Sequence, residues 1–358
     1  MITKDLYMRI RHAQNRRGDA FRRLRRRAVL RMIGVDLSKQ TEIQYVELGH
    51  NNSQVISKIE VAPAKEIEFL TLNSSFRHNF DSKFIVEMSN VLVNTETNHI
   101  YVSENSKNVY KLLKESSSWP TDLVLLNAEK PKWKSIKKVS VAALGLSNNG
   151  FYHWLSDDLP DFLLNKQNLP ILNYKKTNVV NLQLIKLLGR EFIQCDKWVF
   201  VEKLTFVTKG QDLGYLHPSG AKVLKDFNRK ILDYQEANSE KIYISRSKTR
   251  RSISNEKAIE DYLLDRGFKI IYAEDFTFPA QVNALSGAKL VVGIHGAGLT
   301  HGLWSEKSTL IELMPNNRVN RCFEWQTLIC GGTHQLLYFD PNLPAEVSVV
   351  PQLELLNL

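Results

Sequence analysis

Residues 289–315 read KLVVGIHGAGLTHGLWSEKSTLIELMP. An apolar run from Lys289 to Ile294 feeds the turn His295-Gly296-Ala297-Gly298, which opens a helix, and a second apolar run follows from Thr309 to Met314. Uninterrupted apolar strands joined through a glycine-rich turn are the pattern of a parallel sheet covered on both faces. Glycines let the backbone approach a ligand closely, and the free N–H groups of a helix start attract phosphate oxygens. The stretch predicts an anion pocket beside His295. A plainer alternative is a tight turn that packs a helix on its sheet.

The same alternation precedes it. A helix over 221–234 leads to a strand at Lys241–Ser245, a basic loop from Arg246 to Arg251, and a helix over 255–265. A strand at Lys269–Ala273 follows, then a helix over 279–286 with Thr277 as its N-cap and Pro279 in its first turn. Such alternation predicts right-handed crossovers that bring Ser245, Ala273 and Ile294 to one carboxyl edge, where doubly wound sheets bind ligands. Arg246 and Arg251 would meet the His295–Gly298 turn there. Arginine forks match phosphate oxygens in pairs, which suits a diphosphate. Glu312, between Ile311 and Leu313, is a carboxylate in a buried strand and needs a partner: ribose hydroxyls, or a neighbouring arginine.

Towards the N-terminus, residues 139–164 read VSVAALGLSNNGFYHWLSDDLPDFLL. They predict a buried strand over 139–144, a loop, and an amphipathic helix interrupted near Pro160. His153 and Asp157 are four apart and share a helix face, an arrangement that fixes an imidazole's tautomer and equips it to take a proton from a hydroxyl. The alternative is a histidine that merely packs among aromatics. Between the two stretches the sequence suggests strands at Asn178–Asn181, Trp198–Val201 and Leu204–Val207, a helix over 182–188, and an inter-domain linker over 209–220. Earlier still, short strands are expected at 43–46, 55–61, 84–88, 91–93 and 99–102, without recognisable chemistry.

A chain of 358 residues exceeds one comfortable core, so two domains are expected. No apolar run is long enough to span a bilayer, and the N-terminus lacks the apolar core of a secretory signal. Cys195, Cys322 and Cys330 have neither metal nor redox spacing and read as small buried hydrophobes. Of the net charge of +10, residues 1–31 hold +9, with eleven Lys and Arg against Asp5 and Asp19. Phe21, Leu24, Ala28 and Met32 recur at helical spacing among the arginines, so the arm can form a basic amphipathic helix suited to an anionic membrane surface. A solvated charge run, a subunit contact and a nucleic-acid tail are its alternatives; charge confined to an arm argues against a nucleic-acid binder.

YISRSKTRRSISNE (243–256), VVGIHGAGLTH (291–301), IELMP (311–315) and FYHWLSDDLP (151–160) together resemble the family 61 glycosyltransferases, over roughly residues 135–320. The resemblance implies an α/β chain of GT-B architecture, with two Rossmann-like domains facing each other across a cleft. It also implies inverting transfer of a sugar from a nucleotide-diphosphate donor, a UDP-sugar foremost, to a hydroxyl of a glycan or lipid-linked glycan, in bacterial capsular polysaccharide synthesis. Arg246, Arg251, Asn255, His295, Gly296, Ala297, Gly298 and Glu312 would bind the donor. Asp157 and His153 would act from the acceptor side, with Asp157 preferred as the proton acceptor. His301 stands where asparagine is common in the family, and Asp161 where a basic residue is frequent. No Asp-x-Asp occurs, so no metal or other cofactor is expected.

The corresponding domains are a basic arm over 1–35, an acceptor-side α/β domain over 36–208, a nucleotide-sugar domain over 209–325, and a tail over 326–358 that packs back on the N-terminal domain. The enzyme would be cytoplasmic and peripheral at the inner membrane, held there by the arm. An acyltransferase using His153 and Asp158, and a non-catalytic nucleotide-sugar or glycan-binding protein, are the rival expectations. A serine esterase is excluded by the lack of a Gly-x-Ser-x-Gly elbow.

Overall fold

The computed structural model describes residues 45–46, 54–70, 75–103, 110–113, 136–147, 150–174, 179–210, 214–231, 239–249, 252–303, 307–317, 320–356 and 358. The basic arm and Arg251 lie outside them. The described chain is a mixed α/β structure with two principal sheets.

The second sheet follows the sequence pattern closely. Strands β12 (Lys241–Ser245), β13 (Lys269–Tyr272), β14 (Leu290–Ile294), β15 (Thr309–Pro315) and β16 (Thr333–Phe339) are all parallel, in the order β13-β12-β14-β15-β16. Both faces are covered, which is why the strands read as continuous apolar runs. One face packs Tyr243, Val292, Ile311 and Leu313 against Ile259, Leu263, Val349 and Leu353. The other packs Ile242, Ile244, Val291 and Leu310 against Leu285, Leu299 and Phe323. In order of appearance the strands run 2-1-3-4-5, so the winding reverses between β12 and β14. In open parallel sheets a ligand crevice opens beyond the strand ends at such a reversal.

The first sheet departs from a Rossmann-like expectation because half of it is antiparallel. Its order is β1-β7-β6-β5-β11-β8-β9-β10, with β2 also on β5. Here β1 is Tyr45–Val46, β2 Val55–Ala62, β5 Lys83–Asn94, β6 His99–Ser103, β7 Tyr110–Leu113, β8 Lys137–Ala143, β9 Ile171–Tyr174, β10 Phe192–Cys195 and β11 Trp198–Val207. Strand β5 runs antiparallel to β2, β6 and β11, whereas β8, β9, β10 and β11 are mutually parallel. A separate hairpin joins β3 (Lys65–Leu70) to β4 (Ser75–Phe80). Strands β5 and β11 are each one element where the sequence suggests two. The polar breaks Ser89-Asn90 and Glu202-Lys203 coincide on the paired strands, with Asn90 in the left-handed region at φ 55 and both Asn90 and Glu202 turned to solvent.

Residues 151–164 form one composite helix: α1 (Phe151–His153), a π-turn (Trp154–Asp158) and α2 (Leu159–Leu164). The expected interruption is this π-turn, one residue ahead of Pro160, which sits in the first turn of α2 where its missing N–H costs nothing. Helix α3 (Val179–Leu187) takes in residues expected as a strand. Helix α4 (Pro218–Ile231) buries Ala221, Leu224 and Phe227 along one stripe.

The segment over 209–220 is no free linker. Leu216 and Ala221 enter a core cluster with Leu155, Leu159 and Phe162 of the composite helix and with Phe278 and Val282 of α6 (Phe278–Leu285), so the two halves share apolar core. Thr277 precedes α6 as expected but makes no side-chain capping bond. The tail also differs from expectation. Helix α7 (Cys322–Ile329) places Trp325 against Phe80 of the N-terminal half. Beyond it, β16 extends the second sheet, and α8 (Ala345–Ser348) and α9 (Val350–Glu354) close over α5 (Lys257–Leu264). All three cysteines are buried, and none is in a disulfide.

Candidate active site

The reversal between β12 and β14 puts two strand ends side by side. Arg246 follows β12, and its guanidinium Nη1 donates to the carbonyl oxygen of His295, just past β14, at 2.5 Å. The guanidinium lies across Gly296: a methyl group there would sit 1.7 Å from Nη1. A side chain at 296 would therefore have to displace the Arg246 guanidinium. Gly293 is also packed tightly, since a methyl there would meet Leu299 at 2.7 Å. After the turn, residues Ala297–Leu303 form a 3-10 helix.

The Arg246 turn is held from beneath by Glu256, which the sequence did not single out. Glu256 Oε1 accepts the Arg246 backbone N–H at 2.6 Å and the Tyr243 hydroxyl at 2.9 Å. Burial pushes the Glu256 carboxyl above its ordinary range, opposed by these donors. Asn255, expected at the donor, instead has a positive φ of 54 and donates to Glu346 at 2.8 Å on an exposed flank. The left-handed conformation at 255 lets Glu256 turn inward and sends the asparagine outward, away from the rim.

Glu312 is fully buried. Its Oε1 accepts from His295 Nδ1, and its Oε2 accepts from His334 Nε2 at 2.8 Å. Burial opposes ionisation of this carboxyl, but the two histidine bonds outweigh it and hold its pKa below the ordinary value. Its partners are therefore imidazoles, not an arginine. An ionised carboxylate only accepts, so His295 carries its proton on Nδ1 and leaves Nε2 for a ligand.

The composite helix brings the second half of the site. His153 Nδ1 lies 2.8 Å from Asp157 Oδ2, and Asp157 is wholly buried while the His153 side chain is 24% exposed. The backbone N–H of Gly214 lies 3.2 and 3.1 Å from the two Asp157 oxygens. Gly214 has φ 87, a conformation that suits glycine, and Tyr152 donates its hydroxyl to the Gly214 carbonyl. Asp157 is therefore sealed and saturated. Of the pair, His153 is the member that reaches the surface, with Asp157 behind it.

The π-turn divides the acidic run SDDLPD between two tasks. Asp157 faces His153, whereas Asp158 accepts from the Ser147 N–H at 3.0 Å and from the Ser147 hydroxyl, and pairs with Lys209 at 3.3 Å. Asp161 pairs with Lys83 at 2.5 Å and Lys209 at 3.1 Å. Burial pushes the Asp158 carboxyl up and the Lys83 ammonium down. Lys209, although burial opposes its charge, is held above its ordinary value by Asp161 and Asp158. The His153/Asp158 pairing expected of an acyltransferase is not formed.

The two halves meet through rings. Tyr152 contacts Phe323 at 5.1 Å between centroids, and Phe323 contacts His295 at 5.2 Å. Helix α1 packs on the 3-10 helix that follows the His295 turn. The composite helix thus carries the His153–Asp157 pair against the 3-10 helix that follows the His295 turn.

Residues 151–311 match the Glycosyltransferase 61 family model. The match runs from the first residue of the His153 helix to the residue before Glu312, and it supports glycosyl transfer by an enzyme of this family. No curated protein matches the chain. Among solved structures, the dodecameric iron-containing heptosyltransferase TibC in complex with ADP-D-beta-D-heptose overlaps with a TM-score of 0.28 and 9% identity, over 72% of this chain and 80% of that one. His334, Glu256 and Gly214 hold the candidate site residues but were missed in the sequence. Only the SNE ending of the 243–256 motif carried a signal for any of them.

Proposed function

We propose that the protein is an inverting glycosyltransferase of GT-B type that moves a sugar from a nucleotide-diphosphate donor to a hydroxyl of a glycan acceptor. The observation that carries this reading is the Arg246 guanidinium lying on the Gly296 turn at the sheet's winding reversal, with the His153 helix packed on the 3-10 helix that follows that turn. Arg246, Arg251 and His295 with the backbone N–H groups of 296–298 hold the diphosphate and stabilise its charge as it leaves.

The acceptor hydroxyl attacks the anomeric carbon from the face opposite the diphosphate. His153 Nε2 takes the hydroxyl proton as the new C–O bond forms and the bond to the diphosphate oxygen breaks. Asp157 holds the His153 proton on Nδ1 and stabilises the imidazolium that results. Inversion follows from this single displacement. Positive charge from arginine and backbone N–H groups serves the leaving group, so turnover is metal-independent and persists in excess chelator.

A UDP-sugar is the foremost donor, a glycan or lipid-linked glycan the acceptor, and capsular polysaccharide synthesis at the cytoplasmic side of the inner membrane the setting, with residues 1–31 docking on anionic lipid. Release of free nucleoside diphosphate across a panel of UDP-, GDP-, CMP- and dTDP-sugars tests the activity. Absence of turnover with retained donor binding would favour a non-catalytic nucleotide-sugar-binding protein instead. Sedimentation with anionic vesicles tests the arm, and binding unchanged after deletion of residues 1–31 refutes that part.

A further inference from the structure

His334 lies outside the matched segment, yet it is tied into the donor side of the site. Strand register pairs Gly293 with Glu312 and Leu310 with His334. With side chains alternating along each strand, His295, Glu312 and His334 fall on one face of three adjacent strands, each two residues further from the rim than the one before. Glu312 bridges them, with His295 on Oε1 and His334 on Oε2. All three side chains are buried, at 3%, 0% and 3% exposure.

We infer that His334 is a positioning residue of the donor pocket, which holds Glu312 so that His295 is locked with its proton on Nδ1 and its Nε2 reserved for the diphosphate. Glu312 can rotate about its terminal torsion unless both oxygens are engaged. His334 engages the second one. Without that bond the carboxylate retains one donor for two buried acceptor atoms, and it moves to share or lose the His295 proton. His334 itself is too deep to reach a ligand at the rim. Its nitrogen works only through Glu312, much as outer partners fix the tautomer of a ligating histidine. The inference rests on the donor reading above for the identity of the ligand, but the lock itself is a property of the free protein.

Nitrogen-15 NMR of the histidine side chains in the full chain tests it. The wild-type protein is expected to show His295 as a single Nδ1–H form, and His334→Leu to show His295 exchanging between both tautomers. His334→Gln restores the single form, because a glutamine amide occupies the place of Nε2 and donates to Glu312. Affinity for UDP, read by calorimetry, falls on the order of tenfold in His334→Leu and returns to within about twofold in His334→Gln. A His295 tautomer unchanged in His334→Leu, or a wild-type His295 protonated on Nε2 alone, overturns the inference. Should His334→Leu fail to fold, the wild-type tautomer and the effect of His334→Gln decide it. A locked tautomer in a protein that binds no nucleoside diphosphate supports the inference and sinks the donor reading instead.

Discussion

Replacing Asp157 with asparagine removes one buried charge and reverses one hydrogen bond, with almost no change of shape. The side chain is fully buried, with His153 Nδ1 at 2.8 Å and the Gly214 N–H at 3.1 Å. An asparagine can keep the Gly214 bond through its oxygen, but its NH2 group then faces His153 Nδ1. That nitrogen must accept, so the imidazole proton moves to Nε2, the atom that has to receive the acceptor's proton. A general base contributes about 10²–10⁴-fold. At about 1.36 kcal/mol per decade, the barrier should rise by about 2.7–5.4 kcal/mol. The hydrogen-bond count is preserved, so the folded state should lose no more than about 1–2 kcal/mol. The assay is nucleoside diphosphate release under saturating donor, with donor affinity measured by calorimetry. The expected result is normal donor affinity with kcat down at least about a hundredfold. His153→Ala should fall as far, and the double variant little further, since the pair acts as a unit. Wild-type turnover by Asp157→Asn would refute the assignment of His153 as base.

Other outcomes follow from the same geometry. Gly296→Ala should leave stability nearly intact, because the obstructing atom is the end of a flexible side chain, yet lower kcat/KM as much as Arg246→Ala does. Loss of charge-assisted bonds at Arg246 is expected to cost about 1.5–3 kcal/mol, or roughly 10–150-fold in kcat/KM. Lys83→Met should destabilise the fold by about 3–5 kcal/mol, judged by urea denaturation, because it leaves the buried Asp158 and Asp161 to share Lys209; the double change Lys83→Met/Asp161→Leu should recover part of it. His217, whose titration is pushed down to about 4 by burial and then by Lys83, stays neutral and donates Nε2–H to the Asp81 carbonyl at 3.2 Å. The unfolded chain takes up that proton near 6.5 and the folded chain only near 4, so thermal stability should fall as pH drops through this window. His217→Gln should flatten that slope, and an unchanged slope would refute its cause.

The second sheet was largely legible because burial on both faces writes each strand as an unbroken apolar run, and the helices between them carry clean periodicity. Convergence of Arg246 with His295 followed from alternation alone. Elsewhere the sequence misled for physical reasons. Polar breaks at Ser89-Asn90 and Glu202-Lys203 look like strand ends, yet they face each other on paired strands and turn to solvent together. The first sheet mixes strand directions, which no local pattern encodes. The pairing of His153 with Asp157 followed from their four-residue spacing, whereas the bonds of the adjacent Asp158 to Ser147 and Lys209 had no local signal. Asn255 takes a left-handed conformation, and Glu256 beside it holds the Arg246 turn. His334 lies in a strand beyond the recognisable motifs, and only strand register brings it to Glu312.

A crystal structure with a bound nucleoside diphosphate bears most directly on the whole proposal. The diphosphate should lie against the Arg246 guanidinium and the rim of the Gly296 turn, within hydrogen-bond reach of His295 Nε2, with the ring of His153 across the space its sugar would fill. A nucleotide seated away from the gap between β12 and β14, or a His153 ring turned from that space, would contradict it.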